Sequence, residues 1–157
     1  MSAPAVAQTA ARRDLDFATI DDVLADLDRL ERGPHTTIGG WSGGQIFEHL
    51  ARFVDCSLDG FPMTLPLWMR LFGRMMKGKF LKGKMPTGIK LKGESADAFI
   101  PGPTAWEDGI AHYRKSLHRL KTEPQRHASP FFGALTHAEW DLLHRRHAEL
   151  HLSFIQA

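Results

Sequence analysis

The segment THAEWDLLHRRHAELHLSFI, residues 136–155, decides the fold because it joins a helix start signal to a long apolar stripe. Thr136 is followed three residues later by Glu139, which is the spacing of a capping box at a helix N-terminus. Beyond it, apolar residues return at intervals of three and four, the period of an amphipathic helix. The segment therefore predicts a helix that begins at Thr136, runs nearly to the C-terminus and turns its stripe to a core. The stripe consists of Trp140, Leu143, His147, Leu150, His151 and Phe154.

Besides His137 at its start, this helix contains three histidines, and two of these three belong to the apolar stripe. We place the third, His144, near the edge of the stripe. A ring nitrogen buried without a partner costs about 1–3 kcal/mol, so each inward histidine needs a hydrogen bond or a metal ion. His144 and His151 are about 10.5 Å apart along the helix axis, which is too far for one ion. His147 and His151 are one turn apart and can present two nitrogens to one ion, as zinc-binding helices do.

A third ligand would have to come from another helix, and His49 in the segment WSGGQIFEHLARF, residues 41–53, is the candidate. His49 lies beside Phe53 on the flank of that segment's apolar stripe and away from Asp55, so we expect it to point inward. The remaining histidines lie off an apolar stripe or in predicted loops and caps. They are His35, His112, His118, His127 and His137. Histidines bonded to each other or to backbone carbonyls are the alternative to a metal site.

Three further segments carry the same helix signal, with an acidic or amide side chain three residues after the capping residue. They begin at Thr19 with Asp22, at Ser42 with Gln45 and at Thr104 with Glu107. Four amphipathic helices of about 14–20 residues predict an all-α fold, specifically a four-helix bundle. Helices two and three are separated by residues 60–103, so we expect a long crossover connection rather than a hairpin.

The length of the chain, 157 residues, fits one domain. We assign residues 12–157 to the bundle and residues 1–11 to a disordered tail, with RDLDF at residues 13–17 as a short extended arm. The net charge of +2 gives no reason to expect nucleic acid as a partner. No apolar run reaches the roughly 20 residues that cross a bilayer, and no signal-peptide pattern is present. We therefore expect a soluble, cytoplasmic protein.

The single cysteine, Cys56, excludes an intramolecular disulfide and a cysteine-based zinc site, and this is typical of a reducing compartment. Cys56 lies about 10.5 Å beyond His49 along its helix, so it cannot share an ion with it. We expect it to belong to the core.

The long connection carries the charge asymmetry of the chain. Residues 61–93 contain eight of the 20 lysines and arginines and none of the 18 acids. Apolar residues are interleaved with these cations, so part of the segment predicts a basic amphipathic helix. Such a helix could bind a membrane surface or an anionic ligand, pack its apolar face on the bundle, or cover the histidines as a lid. We favour packing or a lid over a membrane, because prolines and glycines interrupt the segment. The cations are Arg70, Arg74, Lys77, Lys79, Lys82, Lys84, Lys90 and Lys92.

The chain resembles the DinB-like superfamily of four-helix metal proteins, and within it the branch described as a domain of unknown function. Four segments carry the resemblance, which covers most of residues 12–156: ARRDLDFATIDDVLADLDRL, WSGGQIFEHLARF, LFGRMMKGKFLKGKMPTGIKL and HASPFFGALTHAEWDLLHRRHAELHLSFI. In that superfamily, a histidine of helix two and a histidine pair of the last helix bind a divalent metal, usually nickel or zinc. These positions match His49, His147 and His151. Relatives often carry HxxHH, whereas here Leu150 precedes His151, which keeps the ligand spacing but removes a neighbouring donor.

Three histidine ligands leave one or more coordination positions open for water or substrate, which is the arrangement of catalytic metal sites. The resemblance implies a metal-dependent thiol transferase or hydrolase that acts on a small molecule, such as a low-molecular-weight thiol. The basic connection adds an anionic compound as a candidate substrate. Two alternatives stay open. One is a metal-containing binding protein without turnover, and the other is a bundle with structural histidines that binds a partner or a membrane surface. A homodimer also stays open.

The sequence identifies no second catalytic group. Glu48 points away from the predicted site, Tyr113 faces the core, and Gln45 is a helix cap. His144 could accept a proton near the metal, although a surface position or a carbonyl bond is the simpler interpretation.

Overall fold

The computed structural model describes residues 11–88 and 93–157, and within them the protein is mostly helical, which confirms the all-α class. Residues 1–10 of the predicted tail, and Lys90 and Lys92 of the connection, lie outside the described residues. None of the described helices is both long and apolar enough to cross a membrane. The elements are α1 (Ile20–Arg32), β1 (Thr36–Thr37), α2 (Gly43–Asp59), α3 (Leu67–Lys82), α4 (Glu94–Phe99), α5 (Trp106–Thr122), α6 (His137–Leu152) and β2 (Ile155–Gln156).

Three of the four predicted capping boxes are present. In each, the capping hydroxyl accepts a hydrogen bond from the backbone three residues on, and the side chain there accepts one from the capping residue's own N–H. The pairs are Thr19 with Asp22, Ser42 with Gln45, and Thr136 with Glu139. Such a cap contributes about 1 kcal/mol, so these pairs define where α1, α2 and α6 begin.

The prediction that Thr104 caps the third long helix is wrong. Ala105 occupies the N-cap of α5, which begins at Trp106, and no side chain caps it. The Thr104 hydroxyl donates instead to the carbonyl oxygen of Gly102, at 2.9 Å. The physical reason is tight packing. The carbonyl oxygens of Thr104 and Ala105 lie directly over Gly44 of α2, where a Cβ atom would come within 2.6 Å of the Ala105 oxygen.

The most extensive helix contact joins α2 and α5, and it depends on glycine. A Cβ atom on Gly109 of α5 would overlap the carbonyl oxygen of Gly44, so only hydrogen fits at this crossing. Helix α1 packs against α5 and α6, and α6 packs against α2. Their apolar faces form the main core, and a smaller cluster surrounds Trp140 and Leu143 of α6.

The predicted arm at residues 13–17 lies against α6. The Arg13 N–H donates to the Ser153 carbonyl, and the Phe17 N–H donates to the carboxylate of Glu149 at 2.8 Å. Glu149 lies nine residues after Trp140 and therefore on the opposite side of α6, yet it is only 6 % exposed. The arm covers this face of the helix, and Arg146 neutralises the carboxylate at 2.9 Å. The arm therefore buries part of the polar side of α6, and the periodicity of the helix does not predict this contact.

A two-stranded antiparallel sheet ties the segment before α2 to the end of α6. Thr36 pairs with Gln156 and Thr37 with Ile155, and the Ile38 N–H donates to the Phe154 carbonyl at 2.9 Å. The pairing fixes the start of α2 relative to the end of α6. These are the two helices that carry the predicted ligands.

The connection between α2 and α5 contains two helices in its described part, α3 and α4. Helix α3 confirms the predicted basic amphipathic helix and runs without a break through Gly73 and Gly78. It packs against α6, with Lys77 paired to Glu139 at 2.7 Å.

The expectation that this helix buries its apolar face is wrong for most of that face. Leu67, Trp68 and Met75 are 67, 69 and 73 % exposed, and Leu71 and Phe72 are more than half exposed. Gly73 makes the close contact instead, because a Cβ atom there would overlap the carbonyl oxygen of Phe131. The apolar side of α3, opposite Gly73, is therefore exposed to solvent.

Candidate metal centre

One ring nitrogen from each of the three predicted ligands lies within 4.8 Å of the other two, so the group could hold a metal ion. The ring centroids of His49, His147 and His151 form a nearly equilateral triangle with sides of 4.9, 4.5 and 4.7 Å. Nitrogens bound to one ion at about 2.1 Å can be at most about 4.2 Å apart. A pair at the 4.8 Å limit would therefore have to close by at least about 0.6 Å, which is within reach of side-chain torsions.

Helix geometry explains this convergence. His147 and His151 are one turn apart on α6, and His49 follows the buried Ile46 by three positions on α2. Because α2 and α6 pack together, the three side chains meet between them. The structure thus brings together the three residues that were named from the sequence.

A hydrogen bond fixes the tautomer of His49. Its Nδ1 lies 2.7 Å from the carbonyl oxygen of Phe99, the last residue of α4, and a carbonyl can only accept, so Nδ1 carries the proton. This leaves the lone pair on Nε2, which lies 3.0 Å from Nε2 of His147. Metal-binding histidines commonly donate their other ring N–H to a carbonyl in this way, which orients the ring and raises its basicity.

Burial keeps all three rings in the neutral form that binds metal. It lowers the pKa of His147 well below its ordinary value, and the neighbouring His151 and His49 lower it further. Burial, with a smaller contribution from His49 and Arg12, lowers the pKa of His151 to about 3. Burial also lowers the pKa of His49, although its bond to the Phe99 carbonyl acts in the opposite direction. A metal ion would therefore compete with few protons near neutral pH.

Trp41 supports the cluster from the start of the segment WSGGQIFEHLARF. Its ring stacks on His151, with centroids 5.9 Å apart and planes 15° apart, and it contacts the ring of His49 at 5.0 Å. The guanidinium of Arg12, just before the arm, donates to the carbonyl of Leu150 and to the hydroxyl of Ser153 at the C-terminal end of α6. Neither contact was predicted from the sequence, because each depends on how segments that are distant along the chain meet.

His144 does not join the group. The Ser57 hydroxyl donates to the Val54 carbonyl at 2.6 Å, so it accepts from Nε2–H of His144 at 3.0 Å. His144 is 2 % exposed, and burial, followed by the charge of Arg126, lowers its pKa to about 3. Our placement at the edge of the stripe was wrong. His144 follows Trp140 by four residues, so it is rotated by only about 40° from Trp140 around the helix axis. This position is close to the centre of the stripe.

The other candidates lie elsewhere. Glu48 accepts hydrogen bonds from His112 and Arg52, so it points away from the three histidines as predicted. Gln45 acts as the helix cap and also donates to the Pro101 carbonyl at 3.2 Å. Cys56 is half-buried, and burial together with two nearby aspartates raises the pKa of its thiol to about 11. The thiol is therefore protonated and unreactive near neutral pH.

A cavity of about 120 Å³ opens beside His49 and His147. Its walls come from α2, from the segment before α3, from the end of α4 and from the loop before α6. Sequence reasoning missed it, because its aromatic residues are scattered and follow no helix period. The principal apolar residues are Phe53, Phe61, Met63, Leu65, Phe99 and Phe131.

One comparison with known proteins places the chain in a family. A protein-family model described as "Protein of unknown function (DUF1569)" matches residues 9–157. No curated protein and no solved structure matched the chain. Because the family match extends over nearly the whole sequence and includes all three histidines, the chain belongs to the family of proteins of unknown function DUF1569.

Proposed function

We propose that the protein binds one divalent metal ion through His49, His147 and His151, and that it is a metal-dependent thiol transferase or hydrolase. The convergence of three neutral ring nitrogens from two helices carries this proposal. The orientation of His49 by the Phe99 carbonyl supports it, because it leaves the Nε2 lone pair directed at the point where the rings meet, where it can bind an ion or, without one, accept from Nε2–H of His147.

The donor set fits the expected metals. Imidazole nitrogens suit zinc and nickel, among other first-row metals. Three protein ligands leave a position open, as in catalytic zinc sites. When bound, such an ion supplies Lewis acidity that activates a water or a thiol. The chain's own part is to orient His49 through Phe99, to stack Trp41 on His151, and to keep the rings neutral by burial.

We also propose that α1, α2, α5 and α6 are the four-helix bundle of the DinB-like superfamily, with α3 and α4 in the crossover connection. The three observed capping boxes and the match of the histidine positions support this assignment. A domain over residues 12–157, a cytoplasmic location and a homodimer remain predictions.

Metal content tests the proposal. Protein purified without a histidine tag, incubated with nickel or zinc and then desalted, is expected to retain about one ion per chain in elemental analysis. His147→Ala is expected to retain none. His118→Ala is the matched control, because His118 is an exposed histidine on α5 and should leave the metal content unchanged. Wild-type protein that retains no ion would contradict the proposal.

Turnover separates an enzyme from a binding protein. The metal-loaded protein is mixed with a low-molecular-weight thiol and an electrophile, and loss of the free thiol is followed over time. The expected result is turnover by the wild type and none by His147→Ala. A wild type that binds metal stoichiometrically but accelerates neither thiol transfer nor ester hydrolysis would instead be the metal-containing binding protein.

A further inference from the structure

The cavity beside the histidines differs in chemistry from the basic surface of the connection. The ring of Phe53 contacts His147 with centroids 4.7 Å apart, and the ring of Phe99 contacts His49 at 6.5 Å. These rings border the point on which the nitrogens converge. Any molecule in the cavity therefore touches aromatic carbon on one side and ligand nitrogens on the other.

No Asp, Glu, Lys or Arg side chain lines the cavity among the described residues, and the two histidines of its wall are neutral. Ser129 is the remaining polar residue of the lining, and its hydroxyl already accepts hydrogen bonds from the backbone N–H groups of Phe131 and Phe132, at 3.2 and 3.1 Å. A charged group would lose its hydration here without compensation, whereas an apolar group loses nothing. The expected anionic substrate therefore fits this cavity poorly.

The volume limits the size of the occupant. A dry cavity of about 150 Å³ lined by Leu, Ile and Phe is known to take one benzene molecule. The cavity here has a similar size, about 120 Å³, and a similar lining.

We propose that this cavity binds the apolar part of the substrate, an uncharged group about the size of one aromatic ring or a short branched chain. Its donor atom, such as a thiol sulfur, would then reach the position shared by His49 and His147. The donor part of this inference rests on the proposed metal site, and the apolar part does not.

The apolar part is tested in metal-free protein by NMR of the methionine methyl groups. Toluene is expected to shift the methyl resonance of Met63, which lines the cavity, and acetate at the same concentration is expected to leave it unchanged. Met63→Trp fills the cavity and serves as the loss variant, and the methyl resonances of Leu65, which also lines the cavity, then report whether toluene still binds. Absence of any toluene shift in the wild type would overturn the inference.

The donor part is tested in cobalt-loaded protein, whose visible absorption reports a bound sulfur. Phenylmethanethiol is expected to bind at least tenfold more tightly than 3-mercaptopropionate. Met63→Trp is expected to remove this preference while leaving cobalt affinity unchanged. Met75→Trp on α3, 73 % exposed and remote from the cavity lining, is the control and should behave as wild type. Equal binding of the two thiols would overturn the inference, whereas failure to bind cobalt would refute the metal site alone.

A separate observation concerns the solvent-facing side of α3. Five large apolar residues lie within about 140° of the helix circumference, and all are more than half exposed. They are Leu67, Trp68, Leu71, Phe72 and Met75. Lys79 and Lys82 continue this face, and both are exposed. The helix contains no acidic residue.

We propose that this face of α3 binds an anionic membrane surface. Tryptophan, leucine and phenylalanine flanked by lysine and arginine are the composition of helices that lie in the membrane interface. The proline and glycine positions that led us to expect no membrane binding do not interrupt α3. A second copy of the chain fits less well, because a twofold contact through this face would bring Lys79 and Lys82 of both copies into the interface without a carboxylate from either α3 to pair with them.

Co-sedimentation with vesicles tests this second proposal at physiological salt. Wild-type protein is expected to pellet with phosphatidylcholine vesicles that contain phosphatidylglycerol and to stay in solution with phosphatidylcholine alone. Trp68→Ser with Leu71→Ser should abolish pelleting, and Lys79→Gln with Lys82→Gln should weaken it several-fold. Ile100→Ser, at a residue 52 % exposed outside α3, is the control. Failure of the wild type to pellet with anionic vesicles would overturn the proposal. A dimer in light scattering that Trp68→Ser with Leu71→Ser dissociates would assign the face to a second copy.

Discussion

Gly109 of α5 lies so close to Gly44 of α2 that a Cβ atom on Gly109 would overlap the Gly44 carbonyl oxygen and lie 3.0 Å from its Cα. Because backbone cannot move aside as a flexible side chain can, Gly109→Ala is expected to lower the free energy of unfolding by about 1–3 kcal/mol. Gly78→Ala in α3 is the matched control, because nothing lies within 4 Å of a Cβ atom there. Alanine favours helix by up to about 1 kcal/mol, so the control should be neutral or stabilised. Urea unfolding measures both, and equal effects would contradict the close contact.

His147→Ala is expected to abolish metal binding and leave the helices folded. Most of the core is apolar and independent of the histidines, so circular dichroism at 25 °C should show wild-type helix content. Metal at a concentration of 100 times Kd should raise the wild-type stability by about 2.7 kcal/mol and leave the variant unchanged. A variant that is unfolded without metal would indicate that the histidines are needed for the fold itself.

His144→Phe is expected to make stability less sensitive to acid. In the folded protein the pKa of His144 is about 3, whereas in the unfolded chain it takes the ordinary value of about 6.5. As the pH falls from 6.5 toward 3, only the unfolded chain gains this proton, so the wild type loses about 1.4 kcal/mol per pH unit. Relative to wild type, the variant should therefore gain about 2 kcal/mol between pH 7 and pH 5. Urea unfolding at pH 7 and pH 5 tests this. The prediction would be contradicted if the free energy of unfolding changed by the same amount between the two pH values in variant and wild type.

The same substitution should leave metal binding intact. The Ser57 hydroxyl keeps its bond to the Val54 carbonyl without His144, and Phe retains the ring that stacks on Trp140. Loss of metal from His144→Phe would mean that this histidine does contribute to the site.

His112→Gln is expected to show the opposite dependence on pH. Burial lowers the pKa of His112, but its hydrogen bonds to Glu48 and Asp55 outweigh burial and raise the pKa above the ordinary value. The protonated ring therefore stabilises the fold fully below about pH 6.5, and this stabilisation is lost as the pH rises through the folded pKa. The variant should be more destabilised at pH 6 than at pH 9 in urea unfolding. A cost that does not change with pH would show that the ring is neutral throughout.

The sequence predicted the features that depend on local spacing. The capping residues Thr19, Ser42 and Thr136 were identified because a cap involves residues only three positions apart. The pairing of His147 with His151 follows from one helical turn, and the inward direction of His49 follows from its position beside Phe53.

The features that were missed depend on contacts between distant segments. The carbonyl of Phe99 orients His49 from 50 positions away, and nothing in the connection signals that contact. Glu149 is buried by the arm, and α3 turns its glycine rather than its apolar stripe to the protein. Periodicity identifies the faces of a helix, but it does not tell which face another segment will cover.

The distance between the proposed ligands along the sequence limits when the protein can bind a metal ion during its synthesis. His49 and His147 are 98 positions apart, and β1 pairs with β2 across a similar span. At a synthesis rate of about 5–20 residues per second, His147 is added roughly 5–20 seconds after His49. An ion that needs both residues cannot be captured by a nascent chain that still lacks α6. Metal uptake would then mark a chain whose last helix has been made and has docked.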